Sequence, residues 1–384
     1  MTRLRWTLLT LLALLMPVLV SCTHMQPPVQ VSERVDEPVD AQVGAQVDSV
    51  MKAEMLRGKI PGAAIAVLQN GKVVLMKAYG AANLELSVPV QTNSVFELAS
   101  LTKQFTAAAV LLLVHEGKLR LDDPLTDFIE QAPKSWKGIT VRHLLTHTAG
   151  LEHHFEKSVD GSLLLDYSTE SMLANAKATP TFAPPGERFR YSDQGYFLLG
   201  LIIERVQSRT YAQFLSERFF VPLGMSQTRI QDQSQIVPNR VAGYTIKDGA
   251  PVNIRRAWQF GLTSHFGVLS TVEDMAKWEQ SFWANQVLPP AVRDQLWTPA
   301  KIFRTNEQTG YLLAYGYGWW VISENGHKII EHSGFTGTHY LKDAKTGLAV
   351  IVLTNRDQPS GPETGEVARK IAQIFDPTIP SPPK

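Results

Sequence analysis

Ser100 and Lys103 stand three apart in Phe-Glu-Leu-Ala-Ser-Leu-Thr-Lys-Gln-Phe, residues 96–105, where an apolar helix begins. A serine hydroxyl is a poor nucleophile until a neighbour removes its proton, and a lysine at i+3 lies one turn away on the same helix face. The run Phe105–His115 is apolar nearly all round, so this helix is expected to be buried, with Gly117 as its stop. A lysine entering the buried start of such a helix has its charged form disfavoured, which lowers its pKa toward that of a usable base. The N-terminal peptide dipoles act in the same direction and favour an oxyanion. The competing reading is a capping serine followed by a surface lysine. A second Ser-x-x-Lys, Ser49-Val-Met-Lys52, shows that the spacing arises without an obvious chemical context.

Two other short stretches hold groups of use to such a pair. Tyr191-Ser192-Asp193 follows the turn-rich Phe182–Glu187 and precedes a helix expected over Gly195–Gln207. Ser192 or Asp193 would cap that helix, with Tyr191 in the core; alternatively the phenol shuttles a proton if a nearby ammonium lowers its pKa. His332-Ser333-Gly334 closes a strand beginning at His327. It is either a plain strand terminus with a glycine bend or an edge offering a backbone N–H to a reacting carbonyl.

The elements that must position these groups come from both ends of the chain. Ala45–Arg57 reads as a helix. Ala63–Gln69 and Lys72–Tyr79 flank Asn70-Gly71, the strongest short hairpin signal. Near the other end, Tyr317–Ser323 and His327–Glu331 flank Glu324-Asn325-Gly326, Leu348–Thr354 is a short Val/Ile-rich strand, and Glu363–Phe375 is an amphipathic helix. Residues 100–290 read as mostly helical with long loops. Sequential hairpins imply an antiparallel sheet, so the expected class is α+β, the sheet assembled from both chain ends around a helical subregion. The expected organisation is a signal segment at 1–21, a flexible tether at 22–44, one catalytic domain at 45–376 and a Pro-rich tail at 377–384.

The three motifs in this order resemble the penicillin-recognising serine hydrolases, most nearly the class C β-lactamase-like branch with its esterases, D-aminopeptidases and D-Ala-D-Ala carboxypeptidases. Val141-Arg-His-Leu-Leu-Thr-His-Thr-Ala-Gly-Leu151, Pro184-Pro-Gly186 and Ser270-Thr-Val-Glu-Asp-Met275 add to the likeness, which runs from about residue 46 to 375. The resemblance implies Ser100 as acylated nucleophile and Lys103 with Tyr191 as the groups that accept and return its proton. It also implies His332 and Gly334 on the strand facing the substrate, and backbone N–H groups of Ser100 and Phe335 as the oxyanion hole. Asp193 stands where many relatives carry Asn, placing an anion where it would steady a protonated Lys103 and weaken it as a base. His332 stands where β-lactamases carry Lys, which removes a fixed cation for a substrate carboxylate. That shifts the expected substrate from penicillins toward esters or D-amino-acid peptides.

Other chemistries are weighed against this. His143 and His147 at i, i+4, with His153 and His154 following, have metal-like spacing, but a zinc protease motif needs Glu where Leu144 stands. Capping and packing histidines are the expected outcome, and no metal or organic cofactor is required. No serine carries the Gly-x-Ser-x-Gly of a strand-to-helix nucleophile turn. A non-catalytic binding module on a degenerate hydrolase fold is kept open by Asp193. Trp258, Phe260, Phe335, Tyr315 and Trp319 are candidates for an apolar acyl pocket, against the usual fate of such residues as core.

The chain has 384 residues, 44% hydrophobic and 19% charged, and a net charge of +1, which gives no electrostatic reason to expect nucleic acid. Arg3 and Arg5 precede an apolar run from Thr7 to Val20, broken by Pro17 and too short to span a bilayer comfortably. Leu19-Val20-Ser21-Cys22 resembles the lipobox of bacterial lipoproteins, and Cys22 is the only cysteine, which excludes a disulfide framework. The expectation is export, cleavage before Cys22 and a lipid anchor, with the domain facing the periplasm from the outer membrane. The expected partners are a small ester or peptide and the membrane. Oligomeric state is not legible.

Overall fold

The computed structural model describes residues 30–31, 35–153, 168–254, 261–308, 310–357 and 363–381. The signal segment and Cys22, together with His154, Trp258 and Phe260, lie outside the described residues. The architecture is α+β. A long antiparallel sheet runs Gln30–Val31, Lys72–Asn83, Gly62–Gln69, Leu348–Thr354, Thr338–Asp343, His327–Gly334, Trp320–Glu324, Tyr311–Tyr315 and Lys301–Asn306, in that spatial order. The two chain ends meet at its centre, where Gly62–Gln69 pairs with Leu348–Thr354, Ile351 opposite Ala66.

These two central strands are apolar at nearly every position because both faces of the sheet are covered. Ala64, Ala66, Leu68, Ala349, Ile351 and Leu353 face one core, while Ala63, Ile65, Val67, Leu348, Val350 and Val352 face the other. The second core is closed by the helices Ala41–Gly58 and Glu363–Phe375, through Val47, Met51, Val367 and Ile371. The first and larger core is closed by Thr102–His115, Asp193–Gln207 and Val272–Ala284. A small sheet of Phe96–Glu97, Val268–Ser270 and Arg229–Ile230 joins this helical region to the strand that leads into Ser100.

The ordered chain extends further at both ends than composition suggested. Part of the expected tether at 22–44 is built into the fold: Gln30–Val31 pairs with Lys77 and Ala78, and the Asp36 carboxylate accepts the Val73 N–H at 2.8 Å. Asp40 then caps a helix that starts at Ala41 rather than Ala45, its side chain accepting the Gln42 N–H. At the other end, Ile379 is buried, the Arg369 guanidinium donates to the Pro380 carbonyl, and Gln373 donates to the Ile379 carbonyl. Pro-rich composition marked a tail, but the buried Ile379 and Pro380 and their two carbonyls hold its described part to the domain. The expected strand at Tyr317–Ser323 starts only at Trp320. Gly318 has φ of 78°, and a Cβ there would lie 2.7 Å from the Lys103 carbonyl oxygen, so a close crossing of the buried helix displaces the strand start.

Candidate active site

The segment Leu98–Leu101 enters the buried helix through one 3₁₀ turn, with Ala99 at φ 48°. An alanine in left-handed backbone is strained and persists only where surroundings over-determine it. Here the strand His327–Gly334 crosses directly beneath. A Cβ on Gly334 would fall 2.3 Å from the Leu98 carbonyl oxygen and 3.2 Å from the Ala99 Cβ, so only glycine permits the approach. The Thr338 hydroxyl donates to that same Leu98 carbonyl at 2.8 Å, and the Thr336 hydroxyl donates to the carbonyl of Glu97. Ser100 is thereby held half-exposed at the mouth of a cleft of about 490 Å³.

Behind it, Lys103 is fully buried, with Nζ 3.2 Å from Ser100 Oγ, 2.7 Å from Asp193 Oδ1 and 2.8 Å from the His265 carbonyl oxygen. The last two partners can only accept, so they take two N–H bonds in either protonation state. The third position donates to Oγ as ammonium or accepts the serine O–H as free amine. A proton can therefore pass between Oγ and Nζ with no heavy atom moving. Burial lowers the Lys103 pKa below the ordinary lysine value, although the charge and hydrogen bond of Asp193 oppose it. The expected Asp193–Lys103 contact is present, but burial outweighs it in setting the sign. For Asp193 burial would raise the carboxyl; Lys103 foremost, then His265 and His153, overcome it and hold the carboxylate ionised.

Tyr191 closes the third side, its ring centroid 4.8 Å from Lys103 Nζ. The sequence raised the idea that a neighbouring ammonium would lower the phenol's pKa. The direction is the reverse: burial, then the Asp193 charge, push it well above 10, with the Ser100 side chain pulling only partly back. At neutral pH Tyr191 is thus a protonated phenol, and its buried hydroxyl makes no hydrogen bond of ordinary geometry. Ser192, not Asp193, caps the helix, accepting the Gly195 N–H at 3.1 Å.

His332 lies in the cleft wall, with Nδ1 2.8 Å from the Ser333 carbonyl and Nε2 3.2 Å from the Tyr315 hydroxyl. The carbonyl accepts from Nδ1–H, so in the neutral ring Nε2 accepts a hydrogen bond from the Tyr315 hydroxyl. Burial and the Lys103 charge pull the His332 pKa down to about 3. Phe335 and Ser333 line the same cleft with Phe266 and Trp320. Of the proposed pocket aromatics, Phe335 is there and half-exposed, whereas Tyr315 is buried behind His332 and Trp319 is core, packed edge-on to Tyr340. Trp320 takes the cleft position because successive residues entering a strand point to opposite faces.

Glu97, Gln231, Phe266 and Thr336 also line the cleft and carried no sequence signal; His153, weighed from its spacing as a metal ligand and expected to cap or pack, lines the cleft instead; and the His265 carbonyl on Lys103 is backbone, which no residue type announces. His143 accepts the Thr140 N–H in a capping box, and His147 packs behind Tyr191, both as capping and packing histidines. Among the described residues, the grouping with ligand-like spacing is another one: His327, Asp343 and Asp376, their candidate ligand atoms within 4.8 Å of one another. Its donors are already engaged. Asp343 Oδ2 accepts from His327 and Thr346, and the Lys345 ammonium sits 3.3 Å from His327 Nε2, where a metal cation would be repelled.

Comparison with known proteins agrees with this geometry. Protein flp of Staphylococcus aureus (strain MW2) is 26% identical over 336 residues, 83% of this chain, which spans 64% of that relative's length. Penicillin-binding protein 4* of Bacillus subtilis is 28% identical over 319 residues, covering 77% of this chain and 68% of the relative. Among solved structures, the octameric penicillin-binding protein homologue from Pyrococcus abyssi superposes with a TM-score of 0.76 at 28% identity, over 86% of this chain and 77% of that one. EstCE1, a hydrolase with promiscuous acyltransferase activity, shares the fold with a TM-score of 0.73 at 21% identity, over 86% of this chain and 98% of its own. The family model described as Beta-lactamase matches residues 47–373, nearly the whole described domain, and the chain belongs to the β-lactamase family.

Proposed function

We propose that the protein is a serine hydrolase that works through an acyl-enzyme on Ser100, acting on an ester or on a D-amino-acid peptide. The observation that carries this is the 3.2 Å approach of a fully buried lysine to a serine at the mouth of an open cleft. In the acylation step Ser100 Oγ bonds to the substrate carbonyl carbon as its proton passes to Lys103 Nζ. The oxyanion is held by the backbone N–H groups of Ser100 and Phe335. The bond to the leaving group then breaks, and the proton reaches the departing oxygen or nitrogen through the Tyr191 hydroxyl. Water attacks the acyl carbon, its proton returns by the same path to Oγ, and the acid is released.

Neutral leaving groups and apolar acyl chains suit the cleft. Among the described residues that line it there is no lysine or arginine to hold a carboxylate, and Phe266, Trp320 and Phe335 supply apolar wall. A β-lactam is the second reading, favoured by the likeness to two proteins named for penicillin binding. Intact-mass measurement after incubation with a fluorophosphonate and, separately, a penicillin tests both, with Ser100→Ala as control. Adduct from the fluorophosphonate alone, mapped to Ser100, is expected and supports an esterase; adduct from both points to peptidoglycan-type substrates. A folded protein that takes neither label is a binding module, with Asp193 holding Lys103 as ammonium. We also propose export and a lipid anchor at Cys22, supported by the leader composition; a Cys22→Ser chain that still partitions with membranes would overturn the anchor.

A further inference from the structure

The stretch Val141–Leu151 is not used by the chemistry above, yet His147 within it occupies an unusual position. It is non-glycine with φ of 56°, and its side chain is 2% exposed. Strained backbone of this kind collects where geometry is being enforced. His147 touches the chain on both sides of Tyr191 by separate atoms. Its carbonyl accepts the Arg190 N–H at 2.9 Å, and its ring Nδ1 accepts the Ser192 N–H at 3.0 Å. Its ring then lies against that of Tyr191, centroids 4.4 Å apart and planes inclined by 33°. The imidazole also packs against Tyr196 and Tyr315, centroids 5.0 and 4.8 Å away. Because Nδ1 accepts a backbone N–H, the proton of the neutral ring sits on Nε2.

The geometry points to His147 as a positioning residue that sets where the Tyr191 hydroxyl stands relative to Ser100 and Lys103. The inference rests on the acyl-enzyme reading of Ser100. Tyr191 gains from such a holder: its hydroxyl meets the Ser100 side chain without a hydrogen bond of ordinary geometry, so the backbone and the ring face carry most of its placement. Packing alone would account for a ring here. It would not account for the imidazole Nδ1 on Ser192, nor for a left-handed residue that brings its carbonyl and ring to flanking amides. Asn is an uncharged replacement that offers an acceptor near the Nδ1 position and also tolerates this backbone.

The test is the rate constant for labelling of Ser100 by a fluorophosphonate, followed by intact mass and normalised to folded protein from thermal melts. The proteins are wild type, His147→Phe, His147→Asn, Tyr191→Phe and the His147→Phe/Tyr191→Phe double variant. Phe keeps a ring and removes the acceptor. It is expected to slow labelling by about 30-fold, the scale set by small misplacements of reacting groups. Asn is expected to lie within about fivefold of wild type. In the Tyr191→Phe background the Phe substitution is expected to change the rate by less than about twofold, because a residue acting through Tyr191 has nothing left to position. Equal loss in both backgrounds, or wild-type labelling of His147→Phe, overturns the proposal and leaves the Ser100 reading standing. No Ser100-dependent labelling of wild type sinks both. If His147→Phe does not fold, Asn against Gln decides, since Gln carries its acceptor one methylene too far; equal rates for these two overturn the proposal.

Discussion

At the scale of single residues, the site turns on a contest between desolvation and an ion pair. Lys103 has no exposure, and burial wins over Asp193, so its pKa falls rather than rises. Asp193 nonetheless works against that fall. Replacing it by Asn removes an anion 2.7 Å from Nζ, the ammonium loses support, and the pKa falls further. If Lys103 must be neutral to accept the serine proton, the acid limb of kcat/KM moves to lower pH in Asp193→Asn. A pH profile of wild type against this variant checks it, and a limb that stays put or moves up would remove Asp193 from the control of the base. His332 makes no limb of its own above about pH 4, since its ring stays neutral down to about 3.

At the scale of elements, Ser100 owes its place to a strand passing under a 3₁₀ turn. Gly334 lets His327–Gly334 come within reach of Leu98 and Ala99, and the Thr338 side chain locks the crossing. A methyl group at 334 meets backbone 2.3 Å away and the Thr338 hydroxyl oxygen at 2.2 Å, neither of which is a flexible side-chain end. Gly334→Ala is therefore expected to cost about 1–3 kcal/mol of stability, as overpacking does, and to slow Ser100 labelling well beyond the loss of folded protein. Chemical denaturation and labelling rates measured together check both halves. A stable variant with unchanged labelling would mean that the turn at Ser100 is held from elsewhere. The polar side chains of the buried helix reach partners on neighbouring elements. Thr106 bonds the Tyr211 hydroxyl and the Ser264 carbonyl, and Gln104 accepts from the Trp278 indole.

At the scale of the molecule, the sheet separates two cores, and the candidate site lies on the side of the larger one, to which Leu98, Leu101 and Phe105 belong. The smaller core closes with the C-terminal segment, where Ile379 is buried against Glu363–Phe375 and its neighbours. Deleting residues 377–384 exposes that core and removes carbonyl partners of Arg369 and Gln373. The expected cost is about 2–3 kcal/mol from the lost isoleucine burial, seen as a lower melting temperature, with the Ser100 labelling rate per folded molecule unchanged. A labelling rate that falls in step would show the two cores to be coupled through the sheet.

The sequence by itself determined the α+β class, the strand Leu348–Thr354, the helix Glu363–Phe375 and the candidates Ser100, Lys103 and Tyr191, because periodicity and motif order are local properties. It did not reveal the strand Thr338–Asp343, which ends in the charged Lys342 and Asp343; each is buried against a distant partner, Glu279 and His327. Nor could it reveal that the His265 carbonyl shares the lysine, that Trp320 rather than Trp319 faces the cleft, or that burial outweighs Asp193 at Lys103. Those outcomes depend on which atoms meet across long stretches of chain and how much water is left between them. Such distances and desolvation exist only once the tertiary structure has formed.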